Sequence, residues 1–243
     1  MSRLVIETRG VCDWRSRLAD PEKQWKRGYS AFEVAIAWEK AAAEGTDIPK
    51  GILNLLEQQR PELENPKLIV GIVEHKVGLV GGKRHSQTDV WALVKVGEDM
   101  LSLAVEAKAG ESFADQVSGW LKKVEKGSDK PKRLDSLRKI LGIADKDVSD
   151  LRYQLLHRTA SALIEAERVG AKYAAMIVQS FRNEKRRADP KEQLGDFRTF
   201  GETLGVSVDE NRLVLVPNRA STQLYLGWVT CELATDADIA GLA

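Results

Sequence analysis

Acidic and basic side chains with a spacing suited to phosphodiester chemistry lie between residues 89 and 108. Asp89 opens one apolar run, and a second run ends in Glu106-Ala107-Lys108. If the second run is a strand, Glu106 and Lys108 share one face and Ala107 points away. If the two runs pair as a hairpin, Asp89, 17 residues before Glu106, returns to the same end of the sheet. Two carboxylates and an ammonium would then converge, as a divalent cation and an activated water require.

Two stretches rich in Lys and Arg are candidate flanks of such a site. Residues 122–139 hold eight basic side chains against three acidic ones, and residues 182–191 hold five against two. The candidate phosphate contacts in these stretches are Lys122, Lys123, Lys130, Lys132, Arg186 and Arg187. Contacts of this kind would make nucleic-acid binding weaken steeply with salt. The alternative is that both stretches are solvated loops.

One long helix is the strongest predicted element and could place polar groups beside the acids. Residues 151–169 carry apolar side chains at helical spacing, which predicts an amphipathic helix. Gln154, Arg158 and Ser161 lie at i, i+4 and i+7 and form a polar stripe beside the apolar face. This helix would connect the hairpin to a buried strand at residues 174–181.

The remaining segments predict an α/β fold with a mixed β-sheet flanked by helices. Further helices are predicted at residues 30–44, 50–59, 111–124, 134–141 and 193–204, and further strands at residues 68–73, 212–216 and 224–231. Ser30 and Glu33 have capping-box spacing at the start of the first helix. Residues 78–87 are predicted to be a loop. We expect one domain over residues 1–243, with its core between about residues 30 and 230.

Composition excludes several classes of protein but selects none. The 30 % charged and 43 % hydrophobic residues fit an ordinary globular chain, and the net charge of +1 neither requires nor excludes a polyanionic partner. Cys12 and Cys231 are far apart and lack metal-ligand spacing, which favours a reducing compartment. We see no signal peptide and no apolar run near the roughly 20 residues of a membrane helix. These features predict a soluble cytoplasmic protein without a membrane partner.

The acid followed by Glu-x-Lys at the end of the next strand resembles the PD-(D/E)xK nuclease superfamily, whose fold is restriction-endonuclease-like. The helix that carries Gln154 and Arg158 strengthens the likeness. Over about residues 30–229 the chain resembles a bacterial branch of the superfamily. Thr88 replaces the proline that gives the superfamily its name. The likeness therefore rests on the acids, the lysine and the order of elements.

The resemblance implies a role for each matching residue. Asp89 and Glu106 would bind Mg²⁺ or Mn²⁺ with help from the Ala107 carbonyl. Lys108 would orient the attacking water, stabilise its hydroxide form or balance charge on the phosphorane. Gln154 and Arg158 would face the scissile phosphate.

An additional acid often completes such sites, and three residues are candidates. Glu33 and Glu39 lie on the first predicted helix, and Glu74 follows the first predicted strand. The capping box gives Glu33 a structural role, so Glu39 and Glu74 are the predicted additional metal ligands.

The resemblance implies a Mg²⁺- or Mn²⁺-dependent hydrolase that cuts nucleic-acid phosphodiesters, with DNA favoured over RNA by superfamily precedent. Endonuclease and exonuclease activity both stay open, and a homodimer is one expectation because many such nucleases dimerise. One alternative is a catalytically silent member that binds nucleic acid or a protein partner. Another is a structural or interaction protein whose Glu-x-Lys sequence is fortuitous, with Asp89 and Glu106 solvated at strand ends and paired with Lys108.

Overall fold

A six-stranded mixed β-sheet forms the centre of the molecule in the computed structural model, which describes residues 10–122, 127–183, 190–217 and 221–242. The strands are β1 (Lys67–Val77), β2 (Ser86–Val96), β3 (Asp99–Lys108), β4 (Tyr173–Phe181), β5 (Arg212–Val216) and β6 (Gln223–Cys231). Their order across the sheet is β1-β2-β3-β4-β6-β5. The β3–β4 and β4–β6 pairs are parallel, and the other three pairs are antiparallel.

Helices cover both faces of this sheet. The helices of the described residues are α1 (Val11–Arg15), α2 (Pro21–Gln24), α3 (Ser30–Ala43), α4 (Lys50–Gln59), α5 (Val117–Lys122), α6 (Lys130–Leu141), α7 (Tyr153–Val169), α8 (Pro190–Thr203) and α9 (Asp236–Ala240), with a 3-10 turn at Pro61–Leu63. Within these described residues, none of the helices is both long enough and apolar enough to cross a membrane. The predicted α/β class with a mixed, helix-flanked sheet is confirmed.

Each face of the sheet has its own hydrophobic core. On one face, α3 and α4 contribute Trp38, Ile52 and Leu56 to a core, in which they pack against every second residue of the central strands. On the other face, α6, α7 and α8 contribute residues to a second core, among them Leu137, Leu155 and Phe197. Because β4 is covered on both faces, all nine of its residues are buried, which explains its continuous apolar sequence.

The hairpin and the crossover that carry the candidate site are both confirmed. β2 and β3 pair antiparallel through a tight turn, where Gly97 has φ 52°. Val90 lies opposite Val105, so Asp89 lies across from Glu106. The chain then passes through α7 into β4, which pairs parallel with β3, as a helical crossover allows.

Two local predictions are wrong. The segment predicted as a helix from residue 111 becomes helical only at Val117, because Gln116 forms a β-bridge with Arg152 and Ala114 has φ 59°. The predicted capping box is absent, because Tyr29 is the N-cap of α3 and Glu33 accepts hydrogen bonds from backbone N–H groups outside the helix. In both cases a contact that is distant in sequence overrides a local pattern.

The buried position of β4 predicts a large cost for Ile177→Ala. Ile177 is completely buried in the first core, so the truncation should lower the free energy of unfolding by about 2–5 kcal/mol. The matched control is Ile69→Ala on β1, whose side chain is 42 % exposed and should cost about 0.5 kcal/mol. Urea unfolding measures both. Equal losses in the two variants would contradict this account of the sheet.

Candidate active site

Glu106 is the centre of a buried hydrogen-bond network at the end of β3. Its Oε1 accepts from Lys108 Nζ at 2.7 Å and from Gln154 Nε2 at 2.5 Å, and its Oε2 accepts from Arg158 Nε at 2.5 Å. The Glu106 side chain is only 2 % exposed. Burial acts to raise its pKa, but the charges and hydrogen bonds of Arg158 and Lys108 outweigh burial and lower the pKa to about 2. Glu106 is therefore ionised at neutral pH.

Helix α7 supplies two of these partners from one face. Gln154 and Arg158 are one helical turn apart, and both side chains reach Glu106. Arg158 Nη1 also donates to Ser86 Oγ at 3.1 Å, which fixes the guanidinium against the start of β2. Ser161, the third residue of the predicted stripe, donates instead to the His157 carbonyl within α7. The structure thus brings the first two members of the stripe to the site and not the third.

Two further carboxylates lie beside Glu106 on neighbouring strands. Glu74 lies between Val73 and His75, which pair with Val90 and Thr88 of β2. Glu74, Asp89 and Glu106 therefore occupy adjacent positions across β1, β2 and β3. Like charges that lie directly opposite each other on a sheet repel. The arrangement therefore needs compensation from nearby donors or cations.

Backbone and side-chain donors compensate part of this charge. Asp89 Oδ2 accepts from the backbone N–H of Ala107 at 2.6 Å, which ties β2 to the Glu-x-Lys segment. Glu74 Oε2 accepts from Gln87 Nε2 at 2.6 Å. Glu74 also has φ 53°, in the left-handed region that non-glycine residues rarely adopt. Strain of this kind concentrates at functional sites, where the surrounding structure enforces it.

The compensation is incomplete at two of the acids. Desolvation raises the pKa of Asp89 well above its usual range, and the charges of Glu106 and Glu74 raise it further. Desolvation also raises the pKa of Glu74 to about 7, although Gln87 and Arg158 act in the opposite direction. The cluster therefore favours binding either protons or a cation.

All of these groups open into one cavity of about 430 Å³. Each proposed catalytic residue lines it: Asp89, Glu106, Lys108, Gln154 and Arg158. Glu74 and Ala107 line it too, and the opposite wall comes from the N-terminal segment, including Lys23 and Tyr29. Spacing predicted that Asp89, Glu106 and Lys108 converge, and the family resemblance added Gln154, Arg158 and Glu74 to them.

Glu39 is not part of this cavity. Its Oε1 accepts a hydrogen bond from Trp14 Nε1 at 2.8 Å, and both side chains are buried. Trp14 belongs to the first hydrophobic core, so Glu39 satisfies the polar atom of a buried indole. The structure therefore does not bring Glu39 to the predicted metal site, whereas it does bring Glu74 there.

Two residues of the site were not selected from the sequence. Glu111 begins the helix predicted over residues 111–124, but its carboxylate accepts from Ser30 N at 3.1 Å and from Ala109 N at 2.5 Å, joining the end of β3 to the start of α3. Gln87 ends the loop predicted over residues 78–87, but in the structure it belongs to β2 and donates a hydrogen bond to Glu74. Its two-residue spacing from Asp89 was the available signal, and nothing local marked Glu111.

Three of the six predicted basic contacts are among the described residues, and these three lie outside the cavity. Lys122 is exposed at the end of α5, and Lys132 is exposed in the first turn of α6. Lys130 is half-buried and its Nζ donates to the Trp120 carbonyl at 2.7 Å. Lys123, Arg186 and Arg187 lie outside the described residues. None of the three described lysines lines the cavity that contains Asp89 and Glu106.

The donor chemistry of the site fits Mg²⁺ or Mn²⁺ with few protein ligands. Among the described residues there is no group of three or more His, Cys, Asp or Glu side chains that could hold a metal ion. Mg²⁺, however, is commonly bound through one or two carboxylates together with water and substrate phosphate oxygens. Asp89 and Glu106 provide two such carboxylates. Desolvation and the nearby charges of Glu106 and Glu74 raise the pKa of Asp89, and a bound cation would act in the opposite direction by favouring its ionised form.

Comparison with known proteins places the chain in one family without assigning an activity. A family model described as "Domain of unknown function (DUF6946)" matches residues 7–233. No curated protein and no solved structure matches the chain significantly.

Glu74→Gln should change how stability depends on pH. A carboxyl whose pKa rises from 4.5 to about 7 on folding binds more protons in the folded state between these values. The free energy of unfolding of the wild-type protein therefore falls as pH rises through that window. Glu74→Gln has no carboxyl at this position, so its free energy of unfolding should not fall in this way. Relative to wild type, the variant should therefore become more stable as pH rises from 5 to 8.

Urea unfolding in EDTA at several pH values measures the effect. Glu57→Gln, which alters an exposed acid of α4, is the matched control and should follow the wild-type profile. Parallel profiles for wild type and Glu74→Gln would show that Glu74 titrates normally.

Proposed function

We propose that this chain, which belongs to the DUF6946 family, is a Mg²⁺- or Mn²⁺-dependent nuclease that hydrolyses nucleic-acid phosphodiester bonds. The observation that carries the proposal is the row of Glu74, Asp89 and Glu106 across three strands, with Lys108 and Arg158 in the same cavity. The mixed sheet, the hairpin and the α7 crossover agree with a restriction-endonuclease-like fold and with membership of the PD-(D/E)xK superfamily. That resemblance makes DNA the expected substrate.

Asp89 and Glu106 would hold the cation through their carboxylate oxygens, with the Ala107 carbonyl and Glu74 beside them. A bound divalent cation lowers the pKa of a water ligand and offsets charge on the transferring phosphoryl group. Glu106 is already ionised at neutral pH because of its low pKa. Asp89 would release its proton on cation binding, so affinity for the cation should rise with pH.

Lys108 is held at a fixed position from which it can act on water and phosphate. Its ammonium bonds to Glu106 Oε1 at 2.7 Å and to Gln154 Oε1 at 3.2 Å, and it lies 5.1 Å from the centroid of the Phe113 ring. In this role Lys108 orients the attacking water and balances charge on the phosphorane, and Gln154 positions Lys108. A preorganised cation in a water-poor site stabilises developing negative charge more strongly than one in bulk water.

Arg158 would bind the scissile phosphate from the α7 side. Its Nε donates to Glu106 and its Nη1 donates to Ser86. Nη2 is therefore the nitrogen that would donate to an oxygen of the phosphate. Its position in the same cavity as Asp89 places positive charge next to the proposed cation site.

One observation favours a protein that binds nucleic acid or a partner without catalysis. Both oxygens of Glu106 already accept hydrogen bonds from Lys108, Gln154 and Arg158. A closed ion-pair network of this type can serve structure alone. In that case Lys108 would neutralise Glu106 and would not contact substrate.

Cleavage assays separate the two functions. Wild-type protein with Mg²⁺ or Mn²⁺ should cut at least one member of a panel of single- and double-stranded DNA and RNA. Lys108→Met and Glu106→Gln should each lower kcat/KM by roughly 10²–10³-fold, because each removes a charged group from the transition state. Circular dichroism checks that both variants fold.

Glu39→Gln is the matched control for these variants. It changes another buried acid, and its amide oxygen can still accept from Trp14, so activity should stay close to wild type. Cleavage that survives Lys108→Met, or that is lost equally in Glu39→Gln, would refute the proposed site.

Cation binding should stabilise the folded protein through Asp89. At pH 8 and about 100 times Kd, Mg²⁺ or Mn²⁺ should raise Tm by about 5–10 °C, and Asp89→Asn should abolish the rise. Asp135→Asn, which alters an exposed acid on α6, should keep it. Differential scanning calorimetry measures all three proteins, and an equal shift in Asp89→Asn would place the cation elsewhere.

A further inference from the structure

A second cleft, of about 740 Å³, lies between the loop that joins β1 to β2 and the segment containing α5 and α6. We call it the basic cleft. Among the described residues, four cationic side chains line it: Lys83, Arg84, Lys130 and Arg133. The described acidic residues of the lining are Asp115 and Asp129, so this described lining has a formal excess of two positive charges. Its charge therefore suits an anion.

Arg133 forms the floor of the basic cleft, and its described hydrogen-bond partners, the Gly82 carbonyl and the Tyr153 hydroxyl, are both neutral. Its side chain is only 7 % exposed, and its Nη2 donates to the Gly82 carbonyl at 3.0 Å. Its Nε is buried without a hydrogen-bond partner, and among the described residues Arg133 has no ion pair. A buried guanidinium without a carboxylate is unfavourable, so an anion is the group that would complete its environment.

The β1–β2 loop packs so closely on α6 that the floor of the cleft has a defined shape. Gly81 has φ 82°, and a Cβ at this position would lie 2.7 Å from the backbone N of Arg133. Only glycine fits such a close approach. The packing places Lys83 and Arg84, the next residues of the loop, on the rim of the cleft, where both side chains are exposed.

Trp120 holds the remaining lysine in place. Its ring stacks on Tyr153 with centroids 3.9 Å apart, and the Lys130 ammonium lies 5.0 Å from the indole centroid. The indole is thus packed against groups of the protein. Contacts in this cleft would therefore be made by cations to phosphate and would not depend on base sequence.

The basic cleft adjoins the active-site cavity. Arg84 lines the cleft and Gln87 lines the cavity, and three residues span at most about 10 Å. On α7, Tyr153 stacks on a cleft residue, and the adjacent Gln154 lines the cavity. A nucleic-acid strand with one phosphodiester in the cavity can thus reach the cleft with a neighbouring phosphate.

From these contacts we propose that the basic cleft binds backbone phosphates of the substrate strand outside the bond that is cut. Lys83 and Arg84 on the rim and Arg133 on the floor are the contacting residues. This inference rests on the proposed nuclease function for the identity of the strand. The cleft, its charge and the buried Arg133, which has no ion pair among the described residues, are independent of that function.

Oligonucleotide binding in EDTA, where no divalent cation supports cleavage, tests the cleft separately from catalysis. The test variant is Lys83→Ala/Arg84→Ala, and the matched control is Lys50→Ala/Lys67→Ala, which removes two exposed lysines outside both cavities. Fluorescence anisotropy with labelled single-stranded and duplex DNA and RNA of two unrelated sequences gives Kd as a function of salt.

The test variant should raise Kd by roughly tenfold and reduce the slope of log Kd against log salt by about 1.4, the loss of two contacts to a single strand. The control should change Kd less than twofold, and both sequences should respond alike. Equal effects of the two double variants, unchanged binding in the test variant, or no binding by the wild type would overturn the inference.

Two further readouts distinguish its failure from that of the nuclease proposal. Salt-sensitive binding that needs Lys83 and Arg84, without cleavage in Mg²⁺ or Mn²⁺, would support the cleft and refute the nuclease. Cleavage that needs Lys108 but is unaffected by the test variant would support the nuclease and refute the cleft.

Calorimetric titration with pyrophosphate tests whether the cleft binds free phosphate groups instead of the phosphates of a nucleic acid. Pyrophosphate binding that needs Lys83 and Arg84, with unchanged oligonucleotide binding, would identify a free-phosphate site and overturn the inference.

Discussion

Repulsion among three carboxylates on adjacent strands is the constraint on which the candidate site depends. Glu74, Asp89 and Glu106 can stay together only where cations and donors offset their charge. The ion pairs of Lys108 and Arg158 hold Glu106 ionised, and they reach it from β3 and from α7. Asp89 and Glu74 receive weaker compensation and keep raised pKa values. The site is thus arranged so that a cation would lower its free energy.

Two features of the fold bring these groups to one end of the sheet. The β2–β3 hairpin places Asp89 across from Glu106, and the α7 crossover lays Gln154 and Arg158 over the end of β3. The two hydrophobic cores fix α3 on one face and α7 on the other, so the polar cluster sits at the edge of a rigid scaffold. Glu111 links the segment after β3 to the start of α3, because its carboxylate accepts a hydrogen bond from the backbone N–H of Ser30.

The parts of the structure that depend on local periodicity could be predicted from the sequence. Alternation along β3 separated Glu106 and Lys108 from Ala107, and helical spacing on α7 paired Gln154 with Arg158. Strand register and loop packing were harder, since both depend on contacts between distant segments. Glu74 reaches the site through a positive φ and its pairing with β2, whereas Glu39 on a well-predicted helix is diverted to Trp14. The burial of Arg133 could not be predicted, because it depends on the β1–β2 loop packing on α6.

A crystal structure with Mn²⁺ and a short oligonucleotide, with anomalous scattering recorded for manganese, would show whether Asp89 and Glu106 bind the cation next to the substrate. We expect an anomalous peak between Asp89 and Glu106, at about 2.0–2.6 Å from their carboxylate oxygens, with a phosphate of the oligonucleotide beside it and within reach of Lys108. A manganese ion bound away from these two carboxylates, or a strand whose phosphates avoid the cavity, would contradict this expectation.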